Sequence, residues 1–284
     1  MSRVEGLVCF VTGSTGIAAA TAERLAVEGA RVFIASRTAE HCRHLAETIV
    51  EAGGRAAWIA AELTDEPSVE AAFDACVAAF GRVDAVFSAA GGSGRRYGDG
   101  RIHELTMEGW DRTIEQNLRS QALVARTAVR RMLAQDSGGH GRRGSIVLMS
   151  SVLASHPVPE LFGTHAYAAA KGAITSLGIS MAATYAADRI RVNVLAPGLT
   201  ATAMAERAAG DPDIVEFARR RQPLADGLLD AAEIAAAAVF LLGDDAGAIT
   251  GQVLAVDGGW SVVSAGTIER TPAPVPGANE GPGA

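Results

Sequence analysis

Two side chains four residues apart could transfer a proton. Tyr167 and Lys171 stand in the segment Tyr-Ala-Ala-Ala-Lys within a helical pattern, and that spacing places both on one helix face. A nearby ammonium group favours the phenolate, so we expect Lys171 to lower the tyrosine pKa from about 10 toward neutrality. The phenol could then exchange a proton with a carbonyl oxygen while a hydride moves. A surface tyrosine beside a surface lysine is the competing interpretation.

Two further polar positions could serve the same chemistry. Ser150 and Ser151 close an apolar strand-like segment, and strand ends face the ligand crevice of a doubly wound sheet. A serine hydroxyl there could bind a substrate oxygen, although a helix cap or turn residue is the alternative. Asn117 lies in a helical stretch, where asparagine is unfavourable. It could bend the helix and hold a water near Lys171, or it could be a satisfied buried amide.

The elements that must position these residues alternate between strands and helices. Strands are predicted at Leu7–Thr12, Arg31–Ser36, Ala56–Ala61, Val83–Ala89, Ser145–Ser150, Arg191–Leu195 and Gln252–Val256. Helical patterns separate them, among them Thr21–Glu28 and Thr38–Ala52. This alternation indicates βαβ units with right-handed crossovers. The predicted fold class is therefore α/β: a Rossmann-type, doubly wound parallel sheet of about seven strands with helices on both faces.

The first predicted strand runs into a glycine turn that opens a helix. Gly13 and Gly16 flank Ser14 and Thr15 in this turn. Glycines let the backbone approach a pyrophosphate, and a helix N-terminus offers free N–H groups. A short glycine turn is weak support by itself, but its place after the first strand favours a dinucleotide site.

The end of the second strand predicts which dinucleotide binds. An NAD site usually places a carboxylate there for the ribose 2′-hydroxyl, whereas this chain has Ser36 followed by Arg37. A guanidinium suits a 2′-phosphate through charge-assisted hydrogen bonds. The sequence therefore favours NADP(H) over NAD(H), with an ordinary exposed arginine as the alternative.

Composition bounds the partners and the compartment. The net charge of −7 argues against broad nucleic-acid binding, which needs a basic face. No apolar run reaches about 18 residues, and the first strand begins early, so we expect neither a membrane span nor a signal peptide. Cys9, Cys42 and Cys76 show no CxxC pairing and no metal-ligand spacing, which is typical of reduced thiols in a cytoplasmic protein.

We expect residues 1–263 to form a single Rossmann-fold oxidoreductase domain. Residues 264–284 are rich in proline and glycine and can bury little surface, so they are expected to form a disordered tail.

Together these features resemble the short-chain dehydrogenase/reductase superfamily, in its compact single-domain branch, over about residues 5–263. The markers are the glycine turn, Ala89-Ala90-Gly91, Asn117, Ser151, Tyr167-x-x-x-Lys171, Pro197-Gly198 with Thr202, and Thr250-Gly251-Gln252 with Asp257-Gly258-Gly259. The resemblance implies an NAD(P)-dependent oxidoreductase that interconverts a carbonyl and a secondary alcohol of a small molecule by hydride transfer.

The resemblance also implies a role for each marker. Tyr167 would be the acid/base, Ser151 would polarise the carbonyl, and Lys171 would lower the tyrosine pKa and hold the nicotinamide ribose. Asn117 would support a water-linked proton relay. The cofactor would be contacted by Gly13, Ser14, Thr15, Gly16, Ile17, Ser36, Arg37, Glu62, Leu63, Ala89, Ala90, Gly91, Tyr167, Lys171, Pro197, Gly198, Leu199 and Thr202. The last strand and the long helices would form subunit interfaces of a homotetramer, or of a homodimer.

The chain departs from the family pattern at several positions. The glycine turn has two residues between its first two glycines instead of three, and Ala18 replaces the third, so we expect a reshaped phosphate cradle. Ser88 and Ala89 replace a frequent pair of asparagines, which removes an amide that ties strands together. The serine-to-tyrosine spacing is longer than is common, and the extra residues His156–Phe162 are expected at the substrate entrance.

Three variable segments are expected to border the substrate pocket: Gly92–Arg101, His156–His165, and Ala203–Leu224 as a lid. Arg95, Arg96 and Arg101 could attract an anionic substrate, although a solvated basic loop is the favoured interpretation. Two other functions remain: a non-catalytic NADP(H)-binding sensor or scaffold, motivated by the altered glycine turn, and a dehydratase or epimerase of the longer-chain branch.

Overall fold

The computed structural model describes residues 4–138 and 141–263. The tail predicted for residues 264–284 lies outside these ranges. Seven parallel strands form one sheet in the described chain: β1 Val8–Thr12, β2 Arg31–Ser36, β3 Arg55–Ala60, β4 Ala85–Ser88, β5 Gly144–Met149, β6 Ile190–Pro197 and β7 Val253–Val256. Their spatial order is β3-β2-β1-β4-β5-β6-β7. The strand order reverses between β1 and β4, where doubly wound sheets bind ligands. The predicted fold class is confirmed.

Helices cover both faces of the sheet. In chain order they are α1 Gly16–Val27, α2 Ala39–Glu51, α3 Glu66–Phe80, α4 Met107–Ile114, α5 Ser120–Ala134, α6 Pro159–Phe162, α7 His165–Tyr185, α8 Glu206–Ala209, α9 Pro212–Arg221 and α10 Ala231–Leu242. Helices α1, α2 and α10 share one hydrophobic core, and α3, α5 and α7 share the other. Because both faces are covered, the central strands are apolar runs rather than alternating ones.

Strand β1 contributes side chains to both hydrophobic cores. Its five residues are all buried. Cys9 and Val11 pack into the α1 side, and Val8 and Phe10 pack into the α3 side. The Phe10 ring stacks on Phe73 of α3 with centroids 4.1 Å apart. The pleat therefore divides consecutive side chains between the two layers.

Two local signals fix the first and third helices. Helix α1 begins at Gly16, earlier than the predicted Thr21, because the glycine turn leads straight into helical backbone. Asp65 accepts a hydrogen bond from the Ser68 N–H at 3.0 Å and caps α3, with Pro67 in its first turn. Asp65 and Pro67 are thus the start signals of α3.

A threonine hydroxyl links β1 to the chain that follows β4. Thr12 Oγ1 accepts hydrogen bonds from the N–H groups of Ala89 and Ala90 at 3.0 and 3.1 Å. The residues Ser88 and Ala89 lack the amide that the family often places there, and Thr12 supplies the connection from the opposite strand. The carboxyl ends of β1 and β4 are thereby held together beside the glycine turn.

Candidate active site

A cavity of about 310 Å³ opens beside the carboxyl ends of β1, β4, β5 and β6. Fourteen predicted site residues line it: Gly13, Thr15, Gly16, Ile17, Ala89, Ala90, Gly91, Ser151, Tyr167, Lys171, Pro197, Gly198, Leu199 and Thr202. Six do not: Ser14, Ser36, Arg37, Glu62, Leu63 and Asn117. The structure therefore brings the tyrosine, the lysine, the serine and the glycine turn to one space.

Tyr167 lies in the first turn of α7, and a carboxylate far away in sequence holds that turn. Asp99 is buried and accepts hydrogen bonds from the Ala166 and Tyr167 N–H groups, both at 3.0 Å. A carboxylate at a helix N-terminus satisfies free N–H groups and complements the helix dipole. Asp99 was missed by the sequence analysis, because nothing in Gly92–Arg101 indicates that the loop folds onto α7.

Lys171 is the only lysine of the 284-residue chain, and it is buried one turn after Tyr167. Its Nζ donates a hydrogen bond to the Met149 carbonyl oxygen at 2.9 Å. The Gln121 side chain donates to the same oxygen and accepts from the Met149 N–H. Burial lowers the pKa of Lys171 from 10.5 to about 7. The ammonium is therefore held at the end of β5 and titrates near neutral pH.

The expected lowering of the Tyr167 pKa by Lys171 is wrong for this structure. Burial raises the pKa of Tyr167, and a hydrogen bond with the Ser151 hydroxyl opposes that rise. Lys171 Nζ lies 5.5 Å from the centroid of the tyrosine ring and is directed at Met149. Its own lowered pKa also means that the positive charge near the phenol is only partial at neutral pH.

Ser151 directly follows β5 and faces the cavity. Its Oγ accepts a hydrogen bond from the Leu153 N–H at 3.2 Å and caps a short 3₁₀ turn. The cap that was weighed as the alternative is therefore present, and it coexists with the contact to Tyr167. The adjacent Ser150 also lines the cavity, and its hydroxyl donates to the Lys171 carbonyl oxygen at 2.8 Å, which ties β5 to α7.

Asn117 lies in a π-helical segment, Glu115–Arg119, between α4 and α5. Its amide pairs with the Gly92 backbone in both directions, accepting from the N–H at 3.1 Å and donating to the carbonyl at 2.9 Å. It also donates to the Thr113 carbonyl oxygen. The expected helix distortion and the satisfied buried amide are both confirmed, and π-segments are frequent at functional sites.

The shortened glycine turn leaves room that a side chain would fill. A Cβ on Gly16 would lie 2.9 Å from Thr202 Cγ2, and one on Gly13 would lie 2.9 Å from Ala18 Cβ. Both glycines have positive φ angles, +99° for Gly13 and +55° for Gly16. A bare backbone at the start of α1, facing the cavity, fits a dinucleotide pyrophosphate. Ala18 stands where the family has its third glycine, and its Cβ is the atom that a Cβ on Gly13 would meet.

The residues predicted for the adenosine part of the cofactor lie outside the cavity. Ser14 Oγ donates to Ser36 Oγ at 3.1 Å, which joins the glycine turn to the end of β2. Arg37 is exposed, and among the described residues it forms no ion pair. The exposed Glu62 carboxylate accepts from the N–H and hydroxyl of Thr64, whereas Leu63 is buried in the core.

The other half of the cavity is mostly apolar. Its walls include Val152, Leu153, Phe162, Met204 and Trp260. Phe162 comes from the extra segment between the serine and the tyrosine, and Met204 from the predicted lid, so both segments reach the cavity as expected. Of the three loop arginines, Arg95 lines the cavity, whereas Arg96 lies over the Tyr97 ring at 4.6 Å. Arg95 is nevertheless an exposed residue, which agrees with the preferred interpretation of a solvated basic loop.

Metal and membrane features are not found in the described ranges. No group of three or more His, Cys, Asp or Glu side chains within residues 4–138 and 141–263 could hold a metal ion. None of the helices in those ranges has both the length and the apolar character of a membrane-spanning helix. All three cysteines are free and buried.

Comparison with known proteins decides the family. A family model described as "Enoyl-(Acyl carrier protein) reductase" matches residues 11–261. The chain belongs to the short-chain dehydrogenase/reductase superfamily. It is 39% identical over 258 residues to a cis-4-hydroxycyclohexanecarboxylate dehydrogenase of Sinomonas cyclohexanicum, covering 90% of this chain and 97% of the relative.

Two further comparisons agree. The chain is 37% identical over 259 residues to the short-chain reductase protein NovJ of Streptomyces niveus, covering 89% and 93% of the two chains. A short-chain type dehydrogenase/reductase from Mycobacterium ulcerans superposes with a TM-score of 0.82, at 30% identity and 91% coverage of each chain. This member of the superfamily is an enzyme, an NAD(P)-dependent oxidoreductase.

Proposed function

We propose that this oxidoreductase uses NADP(H) to interconvert a ketone and a secondary alcohol, with Tyr167 as the proton donor and acceptor. The observation that carries the proposal is the meeting of Ser151, Tyr167 and Lys171 in one cavity beside the glycine turn. A sensor or scaffold would need only the turn. The geometry therefore favours catalysis over binding alone.

The reaction needs four side chains in defined roles. The Ser151 hydroxyl donates a hydrogen bond to the substrate oxygen and holds it beside the Tyr167 phenol. In reduction the phenol gives its proton to that oxygen, and in oxidation the phenolate takes it back. The Lys171 ammonium binds the nicotinamide ribose, and Asn117 supports a water-linked relay of the proton. The nicotinamide, when bound, supplies or accepts the hydride.

Contacts at the end of β2 support NADP(H). Arg37 is exposed and without an ion pair in the described ranges, so its guanidinium is available for a 2′-phosphate. The linked hydroxyls of Ser14 and Ser36 lie next to it. We assign these three residues, together with Glu62 and Leu63, to the adenosine half of the cofactor.

Edge strand β7 supports an oligomer. Val253 and Leu254 are 43% and 36% exposed at the edge of the sheet, and apolar edge strands are usually covered. We propose a homotetramer with β7 at one interface, built from single-domain subunits of residues 1–263. The free cysteines support a cytoplasmic location. Light scattering on the purified protein measures the subunit number.

Turnover of cyclic ketones tests the catalytic proposal. Cyclohexanones with NADPH, and cyclohexanols with NADP⁺, are the first panel, since one relative is named for a hydroxycyclohexanecarboxylate. Tyr167→Phe should lower kcat by about 10²–10⁴-fold and leave NADPH binding, followed by fluorescence, within about twofold. Tyr185→Phe, at the far end of the same helix, is the control. Full activity of Tyr167→Phe would refute the mechanism, and tight NADPH binding without any turnover would favour the sensor.

A further inference from the structure

The cavity carries the opposite charge to the chain that surrounds it. The chain has a net charge of −7, yet the charged residues that line the cavity are Arg95, Lys171 and Arg207. No aspartate or glutamate of the described residues lines it. Lys171 belongs to the catalytic group, whereas the two arginines have no role in the chemistry proposed above. Their presence in an otherwise apolar half of the cavity needs a reason.

Arg95 is an exposed residue that lines the cavity, and one hydrogen bond anchors its side chain. Its Nη2 donates a hydrogen bond to the Leu161 carbonyl oxygen at 3.1 Å. Leu161 belongs to α6, whose last residue, Phe162, lines the cavity. A guanidinium has five N–H donors, and this is the one hydrogen bond that its side chain makes within the described ranges. The group is therefore placed on the apolar side with donors to spare.

Arg207 is also an exposed residue, and it comes from the predicted lid. It lies in α8 between the cavity-lining residues Met204 and Ala208. Neither Arg207 nor Arg95 is in an ion pair with a carboxylate of residues 4–138 or 141–263. Burial and the Arg207 charge both lower the pKa of Arg95, and Asp99 partly offsets them. The Asp99 carboxylate accepts hydrogen bonds from two α7 N–H groups and keeps its charge, but one carboxylate can offset at most one of the two guanidinium charges.

We propose that Arg95 and Arg207 form an anion-binding subsite for a carboxylate of the substrate. The enzyme would then act on oxo- and hydroxy-carboxylates with an apolar body, an inference that rests on the proposed function. A carboxylate between two guanidinium groups relieves their repulsion and accepts charge-assisted hydrogen bonds from both. Val152, Phe162 and Trp260 would cover the apolar body between that carboxylate and Tyr167.

Binding of an unreactive acid tests the subsite without any turnover. Cyclohexanecarboxylate and cyclohexanecarboxamide are titrated calorimetrically into the protein saturated with NADP⁺. The acid should bind about tenfold or more tightly than the amide. Arg95→Gln and Arg207→Gln should each weaken acid binding about tenfold and leave amide binding unchanged. Arg96→Gln is the control, because Arg96 lies over Tyr97 and does not line the cavity.

Three results would overturn the subsite. The first is equal affinity for the acid and the amide. The second is an equal loss of acid affinity in Arg96→Gln. The third is weaker NADP⁺ binding by the Arg95 and Arg207 variants with an unchanged preference for the acid, which would assign the arginines to cofactor phosphates. A comparison of catalytic efficiency between a ketone that carries a ring carboxylate and the matching carboxamide separates this proposal from the proposed function. If turnover depends on Tyr167 but the ketone with the carboxylate is not preferred over the carboxamide, the subsite is wrong and the proposed function is unaffected. If acid binding depends on both arginines but neither ketone is turned over, the proposed catalytic function is wrong and the subsite is unaffected.

Discussion

The cavity around Tyr167 and the end of strand β2 differ in how firmly their side chains are held. Tyr167 and Lys171 are fixed by buried hydrogen bonds that reach Asp99 and Met149. Arg37, beyond β2, is exposed and makes no ion pair with the described chain. A network of this kind restricts the chemistry to one geometry, whereas an exposed guanidinium can be replaced without disturbing the core. Under the proposed function, the reaction type would depend on the buried network, and the choice of dinucleotide on an exposed side chain.

After loss of the Tyr167 hydroxyl itself, removing Asp99 should give the largest effect on turnover. Asp99→Ala frees two N–H groups at the start of α7 and lets Tyr167 move, and a displacement of about 1 Å can cost about 100-fold in rate. We expect kcat to fall by about that factor while the affinity for NADPH is unchanged. Asp99→Asn should recover part of the loss, because its amide oxygen still accepts one bond. Asp111→Ala, an exposed carboxylate on α4, is the control. An unchanged kcat in Asp99→Ala would mean that α7 is positioned by packing alone.

Lys171→Met should stabilise the protein, most strongly at low pH. Burial holds the pKa of Lys171 at about 7, below its ordinary 10.5. The unfolded chain keeps the proton up to pH 10.5 and the folded chain loses it above pH 7. The penalty is therefore fully present below pH 7 and is lost as the pH rises from 7 to 10.5.

We expect the free energy of unfolding of Lys171→Met to be higher than that of the native protein by a few kcal/mol at about pH 6. This difference should disappear toward about pH 10. The Met149 carbonyl keeps its bond from Gln121 in the variant. Because the chain has a single lysine, ¹³C-labelled lysine gives one side-chain NMR signal for the pKa. A signal that titrates near 10.5, the ordinary value, would show that the ammonium is hydrated.

The prediction of the site from sequence was limited by distance along the chain. Tyr167, Lys171 and Ser151 were found because helical spacing and strand ends are local patterns. Asp99 acts on a helix 67 residues further on, and only the folded loop reveals it. Arg207 was missed for the same reason, since its α8 position over the cavity depends on how the segment after β6 packs. The doubly wound parallel sheet of about seven strands followed from alternation and handedness, which are general rules, whereas the spatial order of the strands came from the structure.

Thr12→Val should lower the free energy of unfolding by about 2 kcal/mol. The substitution keeps the shape but leaves the Ala89 and Ala90 N–H groups without their acceptor. Thr12→Ser should restore most of the loss. Thr127→Val is a matched control, because the Thr127 hydroxyl is buried and has no hydrogen-bond partner in the part of the chain that the structure describes, so its loss should cost nothing. Chemical denaturation measures all three, and equal effects at the two threonines would contradict the link between β1 and β4.

Arg37→Ala should give the smallest effect, and only with one cofactor. We expect NADPH affinity to fall about tenfold, since one charge-assisted contact is lost, and NADH affinity to change less than about twofold. Arg43→Ala on α2, where Arg43 is paired with Glu40 and Glu47, is the control. Tighter binding of NADH than of NADPH by the native protein would overturn the cofactor assignment.

The single lysine has a consequence for how the enzyme can be labelled and regulated. Every other side chain with a lasting positive charge in the sequence is an arginine, which stays charged in any setting, whereas lysine changes its protonation when buried. Apart from the α-amino group, amine-directed reagents therefore have one target, and acylation there would report on access to the active site. The same restriction applies to lysine acetylation and to conjugation through an isopeptide bond, neither of which could occur on this chain without reaching the catalytic centre.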